Sequence, residues 1–160
     1  MKQSVAKVVV WILVGMLLMG GIMWVTMPSL MLVEHKSTLG YEETIAALNE
    51  SITSKPNWKV LALNDYKKSI QEAGHGDIGH SASINICNPF YASKILANAK
   101  DRGVTAFMPL AVGVYEDKAG QVYVSQLNIG LLGMMFGGTI AEVMGMAGQD
   151  VKEIIEPVVK

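Results

Sequence analysis

FMPLAVGVYEDKAGQVYVSQL, residues 107–127, contains two apolar segments separated by one polar turn. Phe107–Tyr115 has the composition of a long strand, and Gln121–Leu127 has that of a second strand. The turn between them, Glu116–Gly120, is polar and ends in glycine, which is typical of a hairpin connection. Because a hairpin pairs its two strands antiparallel, this region predicts an antiparallel sheet.

The segments before the hairpin add a third strand and a helix. Ala82–Cys87 alternates, with Ala82, Ile84 and Ile86 on one face, which is the period of a half-buried strand. Asn88-Pro89 follows at once and predicts a helix start, because asparagine caps free amide groups and proline suits the first helical position. We expect this helix to end at Gly103.

The other segments after residue 28 also alternate between strand and helix patterns. In chain order we predict a strand over residues 30–36, a helix from Tyr41 to about Lys55, a strand over 58–63, a short helix capped by Asn64 or Asp65, a helical turn or a loop over 128–136, and a final helix opened by a Thr139–Glu142 capping box. This order favours an α+β fold, a two-layer domain with a mostly antiparallel sheet and helices on one face.

The N-terminal region carries an apolar run long enough to cross a membrane. Val8–Val33 has no charged residue, and about 20 apolar helical residues cross a bilayer core. We expect Pro28-Ser29 to end this helix. The chain is therefore divided into a transmembrane signal-anchor, residues 1–28, and a domain, residues 29–160.

The orientation follows from the two lysines that precede the run, Lys2 and Lys7. The positive-inside rule keeps that end in the cytoplasm and places the domain on the periplasmic, extracytoplasmic side of the inner membrane. A cleaved signal peptide is one alternative, but its apolar region would span only about 7–15 residues and precede a small-x-small site, which this sequence lacks. A buried core helix is the other alternative.

Charge and cysteine content limit the function classes. The chain has 13 basic and 14 acidic residues, and since two of the basic ones precede the apolar run, the domain is mildly acidic. It carries no basic stripe and no aromatic RNA-binding motif, so we expect no nucleic-acid partner. Cys87 is the only cysteine, so no intramolecular disulfide forms even in an oxidising compartment.

Several stretches in this order resemble the DUF302 family. They are Asn85–Pro89, Met108–Asp117, Gly120–Ser125, Asn128–Phe136 and Ala141–Val143, and the resemblance spans about residues 30–156. It implies a compact two-layer α+β domain, also called TT1751-like. It implies no catalytic mechanism, because the family is named for its unknown function.

Two departures from the family pattern point to a specialised pocket or partner surface. Family members often have a polar residue or cysteine after the proline of the long strand, whereas here Leu110 follows Pro109. The glycine- and methionine-rich run Gly130–Met146 is also less charged than the family pattern implies.

The candidate ligand-binding residues are His80, Cys87, Asn88, Met108 and Met134. His75, His80 and Cys87 form a possible metal set, because imidazole, thiolate and thioether groups suit copper, zinc or haem iron. The thioethers would come from Met108, with Met134, Met135, Met144 and Met146 in reserve. His80 lies just before the strand that carries Cys87, so the two could be close. Their spacing matches no known metal motif, and the alternatives are solvated histidines and a buried, inert thiol.

Cys87 has one further property that favours a functional role. It directly precedes the helix capped at Asn88, and the dipole of a helix N-terminus can make a thiol more acidic.

Three functions remain open on this sequence. We find no serine–histidine–acid pattern and no phosphate loop, and assign no catalytic residue. The leading hypothesis is a non-enzymatic, membrane-anchored binding or accessory module, which serves a larger membrane complex, another copy of itself or a small ligand. The second is a redox or metal protein that binds haem or copper through Cys87 and His80. The third is an extracytoplasmic hydrolase or transferase.

Overall fold

The computed structural model describes residues 2–159, and the side chains of this range except those of residues 2–6 and 8. The chain divides into two compact units, Met1–Met31 and Leu32–Lys160. The first unit is one helix, α1, Lys2–Met31. Within it Val9–Met31 has a mean hydropathy of 2.2 and is long and apolar enough to cross a membrane. The Lys2 side chain, on which the predicted orientation partly depends, lies outside the described side chains.

The predicted helix end at Pro28 is wrong, because α1 continues through this proline to Met31. A proline removes one amide donor from a helix, and hydroxyl groups near it add side-chain bonds to the backbone. Thr26 Oγ1 donates to the Ile22 carbonyl at 2.9 Å, and Ser29 Oγ donates to the Thr26 carbonyl at 2.9 Å. The boundary between helix and domain therefore lies three residues later than predicted.

The second unit is an α+β domain, as the sequence predicts. Its elements are β1 Leu32–Lys36, α2 Tyr41–Ser54, β2 Lys59–Asp65, α3 Tyr66–Glu72, β3 Ser81–Cys87, α4 Pro89–Leu96, a 3-10 helix Ala99–Phe107, β4 Leu110–Glu116, β5 Val122–Leu127, α5 Ile129–Phe136, α6 Gly138–Ile155 and a 3-10 turn Glu156–Val158.

All five strands form one antiparallel sheet in the order β1-β5-β4-β3-β2. Leu32 pairs with Leu127, and Lys59 pairs with Cys87. One end of the sheet therefore contains the first residues of β1, β2 and β4 and the last residues of β3 and β5. We call this the leading end. The opposite end carries the β4–β5 turn, and we call it the turn end.

The core lies between the sheet and the helices α2 and α6. It contains fully buried side chains from all three, among them Leu48, Ile52, Ile84, Ile86, Val114, Val124 and Ile154. The predicted stripe of the last helix is confirmed, because Ile140, Val143, Met144, Ala147, Val151 and Ile154 are all buried. The short helix α3 packs on the other face of the sheet, where the Tyr66 hydroxyl lies 2.9 Å from the Ser83 hydroxyl.

Two element boundaries differ from the predictions for identifiable reasons. β4 begins at Leu110 rather than Phe107, because Pro109 has no amide hydrogen to contribute to the ladder. The helix that Asn88 caps ends at Leu96 rather than Gly103. The Asn98 backbone is extended, and its side-chain amide donates to Asp101 Oδ2 at 2.9 Å. Side-chain hydrogen bonds of this kind compete with continuation of a helix.

Helices α5 and α6 form an antiparallel hairpin around a two-glycine turn. Gly137 and Gly138 have φ values of +69° and +53°, a region that glycine enters without steric cost. This turn lets α6 begin at Gly138, so Thr139 lies inside the first turn and does not cap the helix as predicted. Residues 128–136, for which the sequence left two alternatives, form the helix α5 and its cap.

The β4–β5 turn gives the domain an acid-sensitive contact. Asp117 Oδ1 accepts the amides of Gln121 at 2.9 Å and Ala119 at 2.8 Å, and these bonds, that of Gln121 first, lower the pKa of Asp117.

We therefore expect Asp117→Asn to be less stable than the unmodified protein at neutral pH, with the difference disappearing in acid. A carboxyl whose pKa is lower in the folded state stabilises that state above its unfolded pKa and loses the effect as the pH falls through the folded value. The pH range over which the difference in stability disappears thus begins near the ordinary aspartate pKa of 3.8 and extends below it. The measurement is Tm against pH by circular dichroism. Parallel curves for the two proteins down to the lowest pH would contradict the assignment.

Candidate functional site

A cavity of about 50 Å³ lies at the leading end, where β3 and β4 meet α4, the 3-10 helix and α6. Its wall is mostly aliphatic and aromatic, and includes Trp58, Ile86, Tyr91, Ile95, Val143 and Ala147. Since one water needs roughly 10–15 Å³ of such space, the cavity can hold a few water-sized groups or one small apolar molecule. An adjoining crevice of about 190 Å³ shares part of this wall, including Phe107 and Ile129.

Three of the predicted ligand-binding residues, Cys87, Asn88 and Met108, line this one cavity. Cys87 ends β3, Asn88 caps α4, and Met108 joins the 3-10 helix to β4. The Asn88 carboxamide oxygen accepts the amides of Phe90 at 3.1 Å and Tyr91 at 3.3 Å. Because that oxygen is already bonded, Asn88 fixes the wall of the cavity rather than offering a free acceptor to a ligand.

Several polar groups beside the cavity bond to one another. Trp58 Nε1 donates to Asp150 Oδ2 at 2.9 Å, and Lys55 Nζ lies 3.9 Å from Asp150 Oδ1. Burial, and then a hydrogen bond to Asp150, raise the pKa of the Tyr91 hydroxyl. These groups bond to one another, so the surface offered to a ligand is mainly apolar, and binding would depend on burial of apolar area, worth about 25 cal/mol per Å².

The expected acidity of Cys87 is wrong in direction. Burial raises the pKa of this thiol above its ordinary value of 9.0, since removal from water disfavours the thiolate. With its pKa raised above 9.0, the group is a neutral thiol at physiological pH.

We expect Cys87 to react with iodoacetamide at neutral pH more slowly than N-acetylcysteine, because the thiolate is the reactive form. The rate should rise when the protein is unfolded in urea. Mass spectrometry of the alkylated protein reports this site alone, since the chain has one cysteine. Alkylation of the folded protein faster than that of N-acetylcysteine would contradict a protected neutral thiol.

The predicted histidine–cysteine set is not assembled. His80 precedes β3 and Cys87 ends it, so at about 3.3 Å per residue the two lie roughly 20 Å apart along the strand. The His80 ring lies 4.7 Å from that of Tyr41 at the turn end, and His75 is exposed in the preceding loop. Among the described residues no three His, Cys, Asp or Glu side chains are grouped to hold a metal ion.

Met134 also lies outside the cavity, on the exposed end of α5. In its place Met144 of α6, one of the reserve methionines, lines the cavity. Trp58 and Tyr91 also line it, and the sequence analysis selected neither of them. Trp58 is the one tryptophan outside the apolar run, and this could have drawn attention to it.

A second, wider groove of about 740 Å³ runs between the β1–β5 edge and α6. It contains His35, which the sequence analysis also missed, and both cationic and anionic side chains such as Lys152 and Glu156. Because its charges are of both signs, it favours no class of ligand, and the smaller, mainly apolar cavity is the better candidate site.

The fold and site define an α+β domain with one five-stranded antiparallel sheet and an apolar cavity at one end, preceded in the chain by an apolar helix. The chain belongs to the DUF302 family, described as a domain of unknown function, which it matches over residues 33–158.

A solved structure supports the same fold. The crystal structure of an uncharacterized conserved DUF302 protein from Bacillus stearothermophilus superimposes with a TM-score of 0.69 at 22% identity, covering 79% of this chain and 96% of the other. At this identity the similarity establishes the fold alone. No curated protein matches the sequence.

Proposed function

We propose that this protein is a membrane-anchored binding module whose cavity at the leading end takes a small apolar ligand. The domain lies on the extracytoplasmic side of the inner membrane, where it serves as an accessory module to a larger membrane complex. The observation that carries the proposal is the cavity itself, which is mainly apolar and beside which several polar groups bond to one another. Such a space favours an apolar ligand, because no residue that lines it carries a formal charge.

The anchor is supported by the length and composition of α1. The 23 residues of Val9–Met31, at about 1.5 Å per residue, make a helix of roughly 35 Å, enough for a hydrocarbon core of about 30 Å. The preceding lysines support a cytoplasmic N-terminus.

Carbonate extraction and surface labelling test the anchor and its orientation. A Cys87→Ser, Lys118→Cys protein carries its one thiol on the β4–β5 turn, which is exposed. We expect the protein to stay with membranes in alkaline carbonate and a membrane-impermeant maleimide to label it in intact spheroplasts. Release into the supernatant would refute the anchor, and labelling only after lysis would refute the orientation.

Replacing a wall residue tests the cavity. We expect the wild-type protein, purified from membranes, to release a low-mass apolar compound on organic extraction, and Ala147→Leu to release much less, because the added side chain occupies the cavity. Gly145→Ala on the same helix is the matched control, since its added methyl meets no atom within 4 Å. Equal yields from all three proteins would refute a ligand in this cavity.

A second candidate is a soft cation such as Cu(I), because three sulfur-bearing side chains, Cys87, Met108 and Met144, line the same cavity. Thiolate and thioether ligands select such cations. The cavity is far smaller than the roughly 300–1,000 Å³ of pockets for larger ligands, so a haem does not fit in it.

Copper titration of paired variants tests this candidate. We expect Cys87→Ser to lower the stoichiometry of bound Cu(I) and His80→Ala to leave it unchanged, since His80 lies at the other end of β3. Equal copper content in the wild type and Cys87→Ser would refute the sulfur site.

A further inference from the structure

We infer that the exposed end of α5 inserts into the interface of the same bilayer that holds α1. We call this surface the apolar tip and define it as Met134, Met135 and Phe136, with Phe107 packed against Phe136. This inference rests on the anchor of the proposed function. It concerns a different surface from the cavity and a different partner, a lipid bilayer.

The apolar tip is unusually exposed for its chemistry. Met134, Met135 and Phe136 are 66%, 67% and 50% exposed, and the rings of Phe107 and Phe136 meet edge to face at 5.9 Å. No charged residue occurs in the sequence between Lys118 and Glu142. An exposed apolar cluster of this kind on a folded domain marks an interaction surface.

The chain connection places this tip at the tethered end of the domain. β5 ends at Leu127, and α5 begins two residues later. Leu127 pairs with Leu32, the first residue of the domain, which directly follows α1 in the sequence. Both leucines are about half exposed, and they extend the apolar surface along the leading end. A helix held in a bilayer therefore keeps this end of the sheet close to the lipid.

The turn end has the opposite character. It carries Asp117 and Lys118 in the β4–β5 turn, and a Lys67–Asp77 ion pair at 3.3 Å beside the glycine-rich loop. The charged β4–β5 turn thus lies at the end remote from the tether, and the apolar tip lies at the end that bears it. This polarity matches an amphipathic body that rests on a membrane surface with its apolar side buried by about 5–10 Å.

The size of the tip favours lipid over a second protein surface. Its four side chains expose on the order of 400 Å², about half of the 800 Å² that each partner contributes to a standard protein interface. Methionine and phenylalanine side chains with no fixed polar contacts suit the disordered acyl boundary, which needs no shape complementarity. Insertion of the tip would also turn the leading end, with its cavity, towards the lipid.

Spin labelling of the full-length protein tests the inference. In the Cys87→Ser background, nitroxides are placed at Met135→Cys on the tip, at Lys118→Cys on the turn end and at Met19→Cys in α1. The proteins are reconstituted into vesicles of phosphatidylcholine and phosphatidylglycerol. Electron paramagnetic resonance then compares relaxation by oxygen, which concentrates in lipid, with relaxation by a water-soluble nickel chelate.

We expect oxygen to dominate at positions 19 and 135 and the nickel chelate to dominate at position 118. If position 19 reports lipid but position 135 reports water, the tip inference is overturned while the anchor stands. If position 19 itself reports water, the anchor fails as well. Dipolar coupling between labels at position 135 would assign the tip to a second copy and overturn the lipid assignment. Met134→Cys provides a second label position on the tip, in case the first label disturbs the helix.

Discussion

Gly133→Ala is expected to lower the free energy of unfolding by about 1–3 kcal/mol, the usual cost of overpacking a tight contact. A Cβ at Gly133 would lie 2.6 Å from the Cβ of Met144 and 3.4 Å from the Cα of Ala141. Both atoms are fixed to the backbone of α6, so no side-chain rotation can make room. The substitution must push α5 away from α6, and this outweighs the gain in helix propensity.

Gly145→Ala is the matched control for this prediction. It makes the same chemical change on α6, but its Cβ meets nothing within 4 Å, so we expect a gain of about 0.5–1 kcal/mol from reduced backbone freedom in the unfolded chain. Thermal unfolding of the full-length protein in detergent, followed by near-ultraviolet circular dichroism, compares the two. Equal shifts in Tm for both variants would show that α5 and α6 are not in contact at Gly133.

The helix contact at Gly133 illustrates which features the sequence could predict and which it could not. The buried stripe of α6 follows from its own periodicity, and the prediction is confirmed over six residues. The close approach of α5 depends on a partner eleven residues away around a turn, Met144, and no local pattern contains this distance. The turn also shifts the start of α6, because the positive φ angles at Gly137 and Gly138 allow the helix to begin before the predicted Thr139 cap.

Local capping chemistry was the most reliable guide along the rest of the domain. Asn88 caps its helix as predicted, and of the two alternatives Asn64 and Asp65 it is Asp65 that caps α3, because each cap places an oxygen on the free amides of the first turn. The order of the strands was beyond local reasoning, since β1 pairs with β5 across the whole length of the domain.

The candidate site also depends on which distant residues meet in space, and local sequence patterns do not predict this. His80 and Cys87 are neighbours in sequence but mark opposite ends of β3, because an extended strand separates its ends more than any other structure of equal length. Met144, distant in sequence, reaches the same cavity as Cys87 and Met108. Sequence reasoning thus found one side of the cavity, the β3–α4 junction, and of the side that α6 supplies it named only Met144, as a reserve ligand.

Ile86→Ala is expected to cost about 2–5 kcal/mol of stability, the range for truncation of a buried isoleucine. Ile86 is 0% exposed and lines the cavity, so the lost side chain joins its volume to an existing apolar space. An enlarged apolar cavity stays dry and takes small apolar molecules. We therefore expect benzene to recover part of the loss, by about 1.4 kcal/mol at ten times its dissociation constant.

Ile84→Ala separates the cost of truncation from the effect of the cavity. Ile84 is 1% exposed, lies on the same strand and face two residues away, and is outside the cavity wall. We expect a comparable loss of stability and no recovery with benzene, measured as Tm under the same detergent conditions so that partition of benzene into micelles affects both variants equally. Recovery of both variants would show a general solvent effect. Recovery of neither would show that the space beside Ile86 does not accept an apolar guest, and the proposed ligand site would lose its physical basis.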